Sequence, residues 1–287
     1  PIIFNDGSDI IRVWELSRFQ WGPTLGKAFW LTKDIKYATE FVRQVESWIR
    51  SNSYEFGPNW ISSQDVALRA INWIITLCFF NESALITRDR WIEIMLSLYL
   101  HGIYIERNLH FECTGKIKTT GTHYLSCLLA LLYLGFLFYE TPKGKRWLEF
   151  GKNGLFVEIM DQVNSDGGDY ESSIAGYHRF AMEHFIAAWI LFALNRIPYP
   201  PQTCVRLEKM FEFVLGYTRP DGKAPQIGDT SDGRVFILSN YSKWEKDNHR
   251  YLLQVGSILF GRKDMYIRDK VLAEEAFWLL KRLNANH

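Results

Sequence analysis

The sequence predicts an all-α protein made of stacked antiparallel helix pairs. Apolar residues recur at helical spacing along most of its 287 residues. Turn-rich segments separate these stretches, and the alternating pattern of a half-buried strand is scarce. Helix pairs that follow one another in this way stack into a solenoid or close into a toroid. Because no linker of biased composition and no exact repeat divides the chain, we expect one domain over residues 1–287.

Nine helices follow from the apolar periodicity, and turn-forming residues bound them. They are predicted over residues 10–19, 35–50, 62–80, 88–107, 121–138, 145–163, 172–195, 201–218 and 273–283. The intervening breaks fall at 52–59, 111–120, 141–144, 165–169, 198–201 and 219–233. One short strand is predicted at 235–238, a Val-Phe-Ile-Leu run that follows an Asp-Gly pair.

The first and third helices carry charged residues at helical spacing. Glu15 and Arg18 lie at positions i and i+3, which predicts an ion pair that clamps the first helix. In the third helix Arg69, Asn72 and Trp73 share one face, and an arginine beside an aromatic ring is a reasonable binding pair for an anionic ligand. The alternative is a buried arginine that bridges helices, and the sequence leaves both open.

The fifth helix lies in a segment without a formally charged residue between positions 119 and 139. A segment of this length could cross a membrane. His123, Ser126 and Cys127 near its start, and the amphipathic helices elsewhere, favour instead the buried central helix of a helical domain. We therefore expect no membrane span.

The seventh helix follows a turn signal, Asp-Gly-Gly at 166–168. The loop and the first helical turn then hold several polar side chains close together: Tyr170, Glu171, Tyr177, His178 and Arg179. Backbone N–H groups are unpaired at a helix start, so polar side chains there can converge on a ligand. The alternative is structural, with Ser172 or Ser173 capping the helix and Glu171 complementing its dipole.

Composition narrows the class of protein. With 47% hydrophobic and 23% charged residues the chain is typical of a globular protein, and a formal net charge of +1 without a basic block predicts no nucleic-acid partner. The aromatic content of 16% is high and leaves two interpretations open: some rings line a groove that stacks on sugar rings, or a large helical core takes them up, which is favoured for any single ring. The four cysteines form no Cys-x-x-Cys pair, which argues against a zinc ribbon or a redox motif.

A metal site is not expected either. Asp229 and Asp232 lie in an acidic loop after a glycine, but carboxylates at this spacing more often cap turns. His178 and His184 are too far apart along a helix to bind one ion from a single face. The sequence therefore predicts neither a metal nor a cofactor.

Five short segments, in order and spread over nearly the whole chain, carry a family resemblance. They are Trp14-Glu-Leu-Ser-Arg18, residues 59–73, Gly121-Thr-His-Tyr-Leu125, residues 166–179, and Pro220-Asp-Gly222 with Ile227-Gly-Asp-Thr-Ser-Asp-Gly-Arg234. Together they resemble the helical toroid domain of the heparinase II/III-like polysaccharide lyases. The resemblance implies an incomplete (α/α) toroid that lacks the family's usual C-terminal β-sandwich. We therefore expect a fragment of a longer, periplasmic or secreted protein, with any signal peptide removed.

The resemblance also implies β-elimination on a uronic-acid-containing polysaccharide. This chemistry needs a group that neutralises the uronate carboxylate, a base for the C5 proton and an acid for the departing glycosidic oxygen. Tyr177 matches the family's tyrosine after the Asp-Gly turn, and His123 matches the histidine of its Asn-His pair. Thr122 stands at the asparagine position, where a hydroxyl gives one hydrogen-bond donor and an amide gives two.

The predicted partner is an acidic polysaccharide, and several side chains are predicted to contact it: Arg69, Asn72, Trp73, Thr122, Glu171, His178 and Arg179. Tyr177, His123, Arg69 and Trp73 are expected to meet in one concave surface. A non-catalytic acidic-glycan-binding or polysaccharide-assembly protein with a lyase-like toroid is the alternative, which Thr122 favours. An inverting glycosidase is a third, with Glu171 and Asp229 as its carboxylates.

Overall fold

Helices dominate the structure, a computed structural model that describes residues 9–80, 86–109, 112–114, 117–170, 174, 176–229, 233–239, 245–266 and 273–284. The α-helices are α1 Ile10–Ser17, α2 Gly22–Thr32, α3 Lys36–Ser51, α4 Ser63–Phe79, α5 Arg88–Arg107, α6 Thr122–Leu137, α7 Pro142–Gln162, α8 Tyr177–Leu194, α9 Pro201–Tyr217, α10 Arg250–Phe260 and α11 Glu274–Asn284. A short antiparallel pair, β1 Glu112–Thr114 and β2 Ile117–Thr119, places Cys113 opposite Lys118. The all-α fold class is therefore confirmed.

Every predicted helix is present, and most bounds agree within a few residues. The exception is α8, which begins at Tyr177 and not at residue 172. Its N-cap is Gly176, which makes no side-chain capping hydrogen bond, so the predicted serine cap is wrong. Ser172 and Ser173 lie outside the described residues.

Two helices, α2 and α10, were not predicted because glycines interrupt their apolar pattern. These glycines serve packing. A Cβ added at Gly22 would lie 2.7 Å from the Thr76 hydroxyl, and one at Gly26 would lie 2.6 Å from the Phe79 ring. Gly256 in α10 likewise has no room for a Cβ where it faces α9. Glycine therefore lets each helix approach its neighbour closely. A helix-propensity scale misses this gain, because it counts a glycine within a helix only as unfavourable.

The strand predicted at 235–238 is wrong. The four side chains are buried, but the segment has no strand partner among the described residues. The backbone N–H of Val235 donates instead to Glu183 Oε2 at 2.9 Å. A buried carboxylate thus satisfies a backbone group that a neighbouring strand would otherwise pair.

The chain forms two compact units. Unit one comprises residues 1–111 and 126–151, and unit two comprises 112–125 and 152–287. In unit one, α4 is buried along most of its length and packs against α2 and α5. In unit two, α8 has the same role and packs against α9 and α11. The prediction of a single domain stays a prediction.

The uncharged segment forms α6, a 16-residue helix that is buried along most of its length. Leu128, Leu129 and Leu132 have no exposed surface. No helix in the described part of the chain is both long and apolar enough to cross a membrane. The interpretation of this segment as a buried central helix agrees with its packing.

Candidate functional site

The loop before α8 is a tight turn held by its own backbone. Val163 and Asp169 form an isolated antiparallel bridge, and the Asn164 N–H donates to the Gly168 carbonyl at 2.8 Å. Gly167, at the apex, has a φ of +94°, a backbone conformation that residues other than glycine rarely adopt. The turn predicted at 166–168 is therefore confirmed.

Replacing Gly167 by alanine should lower the free energy of unfolding by about 1–3 kcal/mol, because the backbone would be strained and the new Cβ would clash with the Lys209 carbonyl. Gly216→Ala is the control, since Gly216 lies in α9 with nothing within 4 Å of an added Cβ. It should raise stability by about 0.5–1 kcal/mol. Urea unfolding of both variants would contradict this account if the two shifts had the same sign.

Thr120 connects this loop to the start of α6. The Tyr170 hydroxyl donates to the Thr120 carbonyl at 2.5 Å. The Thr120 hydroxyl in turn donates to Glu158 Oε2 at 2.6 Å, and the Gln162 amide donates to the same oxygen at 2.7 Å. All four residues belong to unit two. Their hydrogen bonds hold two stretches of backbone together, one just before α6 and one in the loop before α8.

Tyr177 and His123 each lie at the start of a helix in unit two. Tyr177 is the first residue of α8 and His123 is the second of α6. Both side chains are half-buried, whereas Thr122 is 2% exposed. The Thr120 hydrogen bonds fix backbone three residues before His123 and, through Tyr170, seven residues before Tyr177.

The predicted substrate contacts His178 and Arg179 are buried inside unit two. The Arg179 guanidinium donates to the Lys246 carbonyl at 2.5 Å and to the Gly233 carbonyl at 3.3 Å. Burial lowers the pKa of Arg179 from its usual value. His178 Nδ1 accepts from the Asp169 N–H at 3.2 Å. In this structure both side chains hold loops against α8, and their contact with substrate stays a prediction.

A tyrosine–histidine pair lies beside Arg179 and was not predicted. Tyr217 Oη lies 2.8 Å from His249 Nδ1, and the Arg179 guanidinium lies 3.5 Å from His249 Nε2. Burial, with the nearby positive charge of Arg179, lowers the pKa of His249 to about 3. Burial raises the pKa of Tyr217. The pair is therefore neutral near pH 7.

The last of the five sequence segments contains one member of a buried ion pair, Arg234. Arg234 donates to Glu183 Oε1, and the Tyr251 hydroxyl donates to the same oxygen. Glu183 is 4% exposed and Arg234 is 2% exposed. Burial alone would lower the pKa of Arg234, but the charge of Glu183 raises it above its usual value. The Asp-Gly-Arg segment thus contributes its arginine to the core.

Stability should fall as the pH drops below about 6.5. Burial lowers the pKa of His178 to about 4 and those of His184 and His249 to about 3, from a usual 6.5. Below 6.5 the unfolded chain therefore binds protons that the folded protein does not, so protonation favours unfolding until the pH reaches the folded-state values. The urea midpoint should decrease between pH 6.5 and 4. His184→Gln removes one such group and should make that decrease shallower, and an unchanged slope would contradict the assignment.

Arg69 is fully buried in unit one and bridges several elements. Its guanidinium donates to His101 Nε2 at 2.9 Å and to the Ser17 hydroxyl at 3.1 Å, and its Cζ lies 4.1 Å from the centre of the Trp48 ring. Burial lowers its pKa to about 9. These contacts match the bridging alternative that the sequence left open.

Asn72 and Trp73 are also buried in unit one. The Asn72 amide donates to the Leu68 carbonyl at 2.8 Å. Trp73 packs edge-on against Trp48 and Phe19, with ring centres 5.4 Å apart in each case. Because Tyr177 and His123 belong to unit two, the predicted common surface of these four side chains stays a prediction.

Arg18 has a closer partner than the one predicted. Its guanidinium lies 2.6 Å from Asp65 and 3.9 Å from Glu15. The Trp14 indole also donates to the Pro58 carbonyl at 2.8 Å. The first two sequence segments are therefore bonded to each other, which gives both a structural role in unit one.

Glu171 and Asp232 lie outside the described residues, so their predicted roles cannot be placed. Among the residues that the structure describes, no group of three or more His, Cys, Asp or Glu side chains is arranged to hold a metal ion. The absence of a metal stays a prediction for the whole chain.

Most of the chain matches one protein family. The family model described as "Heparinase II/III N-terminus" covers residues 8–248. The chain belongs to the heparinase II/III family. The resemblance that the five segments predicted is therefore confirmed.

Relatives in this family are named lyases. The chain is 27% identical over 256 residues to a heparin-sulfate lyase from Bacteroides stercoris, covering 81% of this chain and 37% of that protein. It is 26% identical over 241 residues to a heparin-sulfate lyase from Pedobacter heparinus, covering 81% and 35%. The chain thus spans about a third of the length of the curated relatives it matches.

Solved structures of this family share the fold. A crystal structure of heparinase III has a TM-score of 0.62 at 23% identity and covers 72% of this chain and 31% of that one. The heparan sulfate lyase from Pedobacter heparinus has a TM-score of 0.60 at 24% identity, covering 79% and 35%. The predicted (α/α)-toroid fold class is confirmed by this likeness.

Proposed function

We propose that the protein acts as a polysaccharide lyase domain on a uronic-acid-containing polysaccharide. The observation that carries the proposal is the placement of Tyr177 and His123 in one compact unit, each half-buried at the start of a helix. Family membership supports it, since relatives are named heparin-sulfate lyases. Fold alone would not assign an activity, so the proposal depends on these side chains.

The reaction we assign is β-elimination. The C5–H bond of the uronate breaks, its electron pair forms a C4=C5 double bond, and the C4–O bond to the leaving sugar breaks. Tyr177, as phenolate, takes the C5 proton and, as phenol, returns a proton to the leaving oxygen. A phenol suits both steps when a nearby cation lowers its pKa. No redox cofactor is needed, because the elimination transfers no electrons out of the substrate.

His123 is assigned to the uronate carboxylate. A hydrogen bond to that carboxylate stabilises the negative charge that develops when C5 loses its proton. Thr122 stands at the position of the family's asparagine and is 2% exposed; its hydroxyl has one donor where an amide has two. The sequence therefore keeps the family's histidine but has one hydrogen-bond donor fewer at the neighbouring position.

Thr122 favours a second candidate, a non-catalytic protein that binds an acidic glycan or takes part in polysaccharide assembly. Loss of one amide donor reduces stabilisation of the enolate-like transition state more than it reduces binding of a sugar polymer. Retained binding without elimination would identify this candidate.

Incubation with a panel of uronic-acid-containing polysaccharides separates the two. A lyase produces unsaturated uronate ends, which absorb in the ultraviolet, and a binding protein does not. Thr122→Asn should raise the elimination rate, because the amide restores the second donor. A rate that stays unchanged or falls in this variant would remove Thr122 from the carboxylate site.

We also propose a periplasmic or secreted location and a longer natural chain that includes a β-sandwich. A polymeric substrate supports the location, because large polysaccharides do not enter cells freely. The share of the relatives' length that this chain covers supports the second part. Cell fractionation with an antibody against the chain tests both location and size.

A further inference from the structure

A groove of about 500 Å³ lies in unit one, and neither Tyr177, His123 nor Thr122 is among its lining residues. One wall is the face of α1 that carries Ser17, and the other is the face of α3 that carries Arg43, Gln44 and Ser47. Its size falls in the range of small-ligand sites, roughly 300–1,000 Å³.

Aromatic rings and short polar groups share the lining. Trp21 is half-buried and its ring lies 4.9 Å from that of Phe19 at a tilt of 35°. The polar part of the lining includes the side-chain amides of Gln44, Asn52 and Asn59. A flat ring beside amide and hydroxyl groups suits a pyranose, whose faces are apolar and whose rim carries hydroxyls.

The groove is held rigid from behind. The Trp48 indole donates to the Ser17 hydroxyl at 2.8 Å, and buried Arg69 donates to the same oxygen. On one side the Asn59 amide donates to Asn52 Oδ1 at 2.7 Å, and the Asn52 amide donates to the Trp48 carbonyl at 2.8 Å. Such bonds fix side chains before a ligand arrives, which reduces the entropy lost on binding.

Phe19 adds strain at the same place. It has a φ of +55°, an uncommon conformation for a bulky residue. The strained turn sets the Phe19 ring between Trp21 and Trp73, at 4.9 and 5.4 Å. Strain of this kind persists only where the surrounding packing enforces it, and here that packing orients the Trp21 ring.

We propose that this groove is a second saccharide subsite that takes one pyranose ring of an acidic polysaccharide. The ring stacks on Trp21, its hydroxyls bond to the amides of Gln44 and Asn52, and its carboxylate or sulfate lies toward Arg43. Arg43 lines the groove and its guanidinium donates to both oxygens of Glu40, at 2.7 and 2.8 Å, so a bound anion would compete with the Glu40 carboxylate for it. That the ligand is the polymer proposed above rests on the proposed function.

Two variants test the subsite by titration calorimetry of the whole chain with a uronate-containing oligosaccharide. Trp21→Ala removes the stacking ring, and Ser47→Trp fills the groove from an exposed position on α3 while leaving the core intact. Each should weaken binding at least about tenfold. Trp30→Ala is the matched control, because Trp30 is 40% exposed in the same unit and does not line the groove. It should bind as the unchanged protein does.

The outcomes separate this inference from the proposed function. Weakened binding in both variants supports the subsite even when the protein cleaves no polysaccharide, and in that case only the lyase assignment fails. Unchanged affinity in Ser47→Trp overturns the subsite, whether or not elimination proceeds. Binding of an apolar dye in the groove without competition from the oligosaccharide also overturns it.

Discussion

Tyr177→Phe is expected to lower the elimination rate by roughly a hundredfold or more while leaving glycan affinity nearly unchanged. The substitution keeps the aromatic ring, so the half-buried packing at the start of α8 is retained. It removes the one oxygen that we assign to both proton transfers. An interaction made only in the transition state lowers kcat and kcat/KM equally, and this is the pattern to look for in the initial rates.

Tyr266→Phe provides the control for this experiment. Tyr266 belongs to the same unit, is 63% exposed and has no assigned role. Its loss should leave the rate as it is. Elimination that persists in Tyr177→Phe would remove the catalytic assignment and leave only the fold and the family.

Most of the fold could be predicted because helical periodicity is a local property. Long helices such as α5, Arg88–Arg107, were predicted at their observed bounds, since an amphipathic stripe needs no knowledge of its partner. The glycines of α2 and α10 hide two helices because the role of a glycine is not a local property. Whether a glycine breaks a helix or admits a neighbouring helix depends on what lies across from it, and that information is distant in sequence.

The candidate site was only partly predictable for the same physical reason. The turn at 166–168 and the helix beginning near Tyr177 follow from local residue types. The roles of Arg69 and Arg179 do not, because their partners lie far along the chain: His101 for Arg69, and the Lys246 carbonyl for Arg179. An arginine near an aromatic or a turn therefore has the same local signature whether it faces a ligand or a core.

The buried pair of Glu183 and Arg234 shows a similar limit. In the sequence Arg234 follows an acidic loop, whereas the structure sets it against a carboxylate of α8. Glu183 is a carboxylate in a helix rich in apolar residues, and a buried charge requires a partner. Arg179 lies four residues earlier on the same helix, so the sequence offers a local cation and does not single out Arg234.

Glu183→Ala is expected to cost about 3–5 kcal/mol of stability, the effect of stranding one member of a buried pair. The carboxylate accepts hydrogen bonds from Arg234, from the Val235 N–H and from the Tyr251 hydroxyl. Alanine leaves all three donors without this acceptor and removes the closest carboxylate from the Arg234 charge, whereas Glu275 lies farther away at 3.7 Å. Urea unfolding followed by circular dichroism should show a large decrease in the midpoint.

Removing both charges should destabilise the folded protein less than removing one. The variant Glu183→Leu with Arg234→Met removes both charges of the close pair, and the buried Glu275 loses only a contact at 3.7 Å, so the double variant should be more stable than Glu183→Ala. Arg43→Met is the surface control. It breaks an exposed pair with Glu40 that solvent already screens, and it should change the midpoint little. If Glu183→Ala unfolds at the same urea concentration as Arg43→Met, the pair does not hold α8 to the 233–239 segment, and burial of apolar side chains alone must do so.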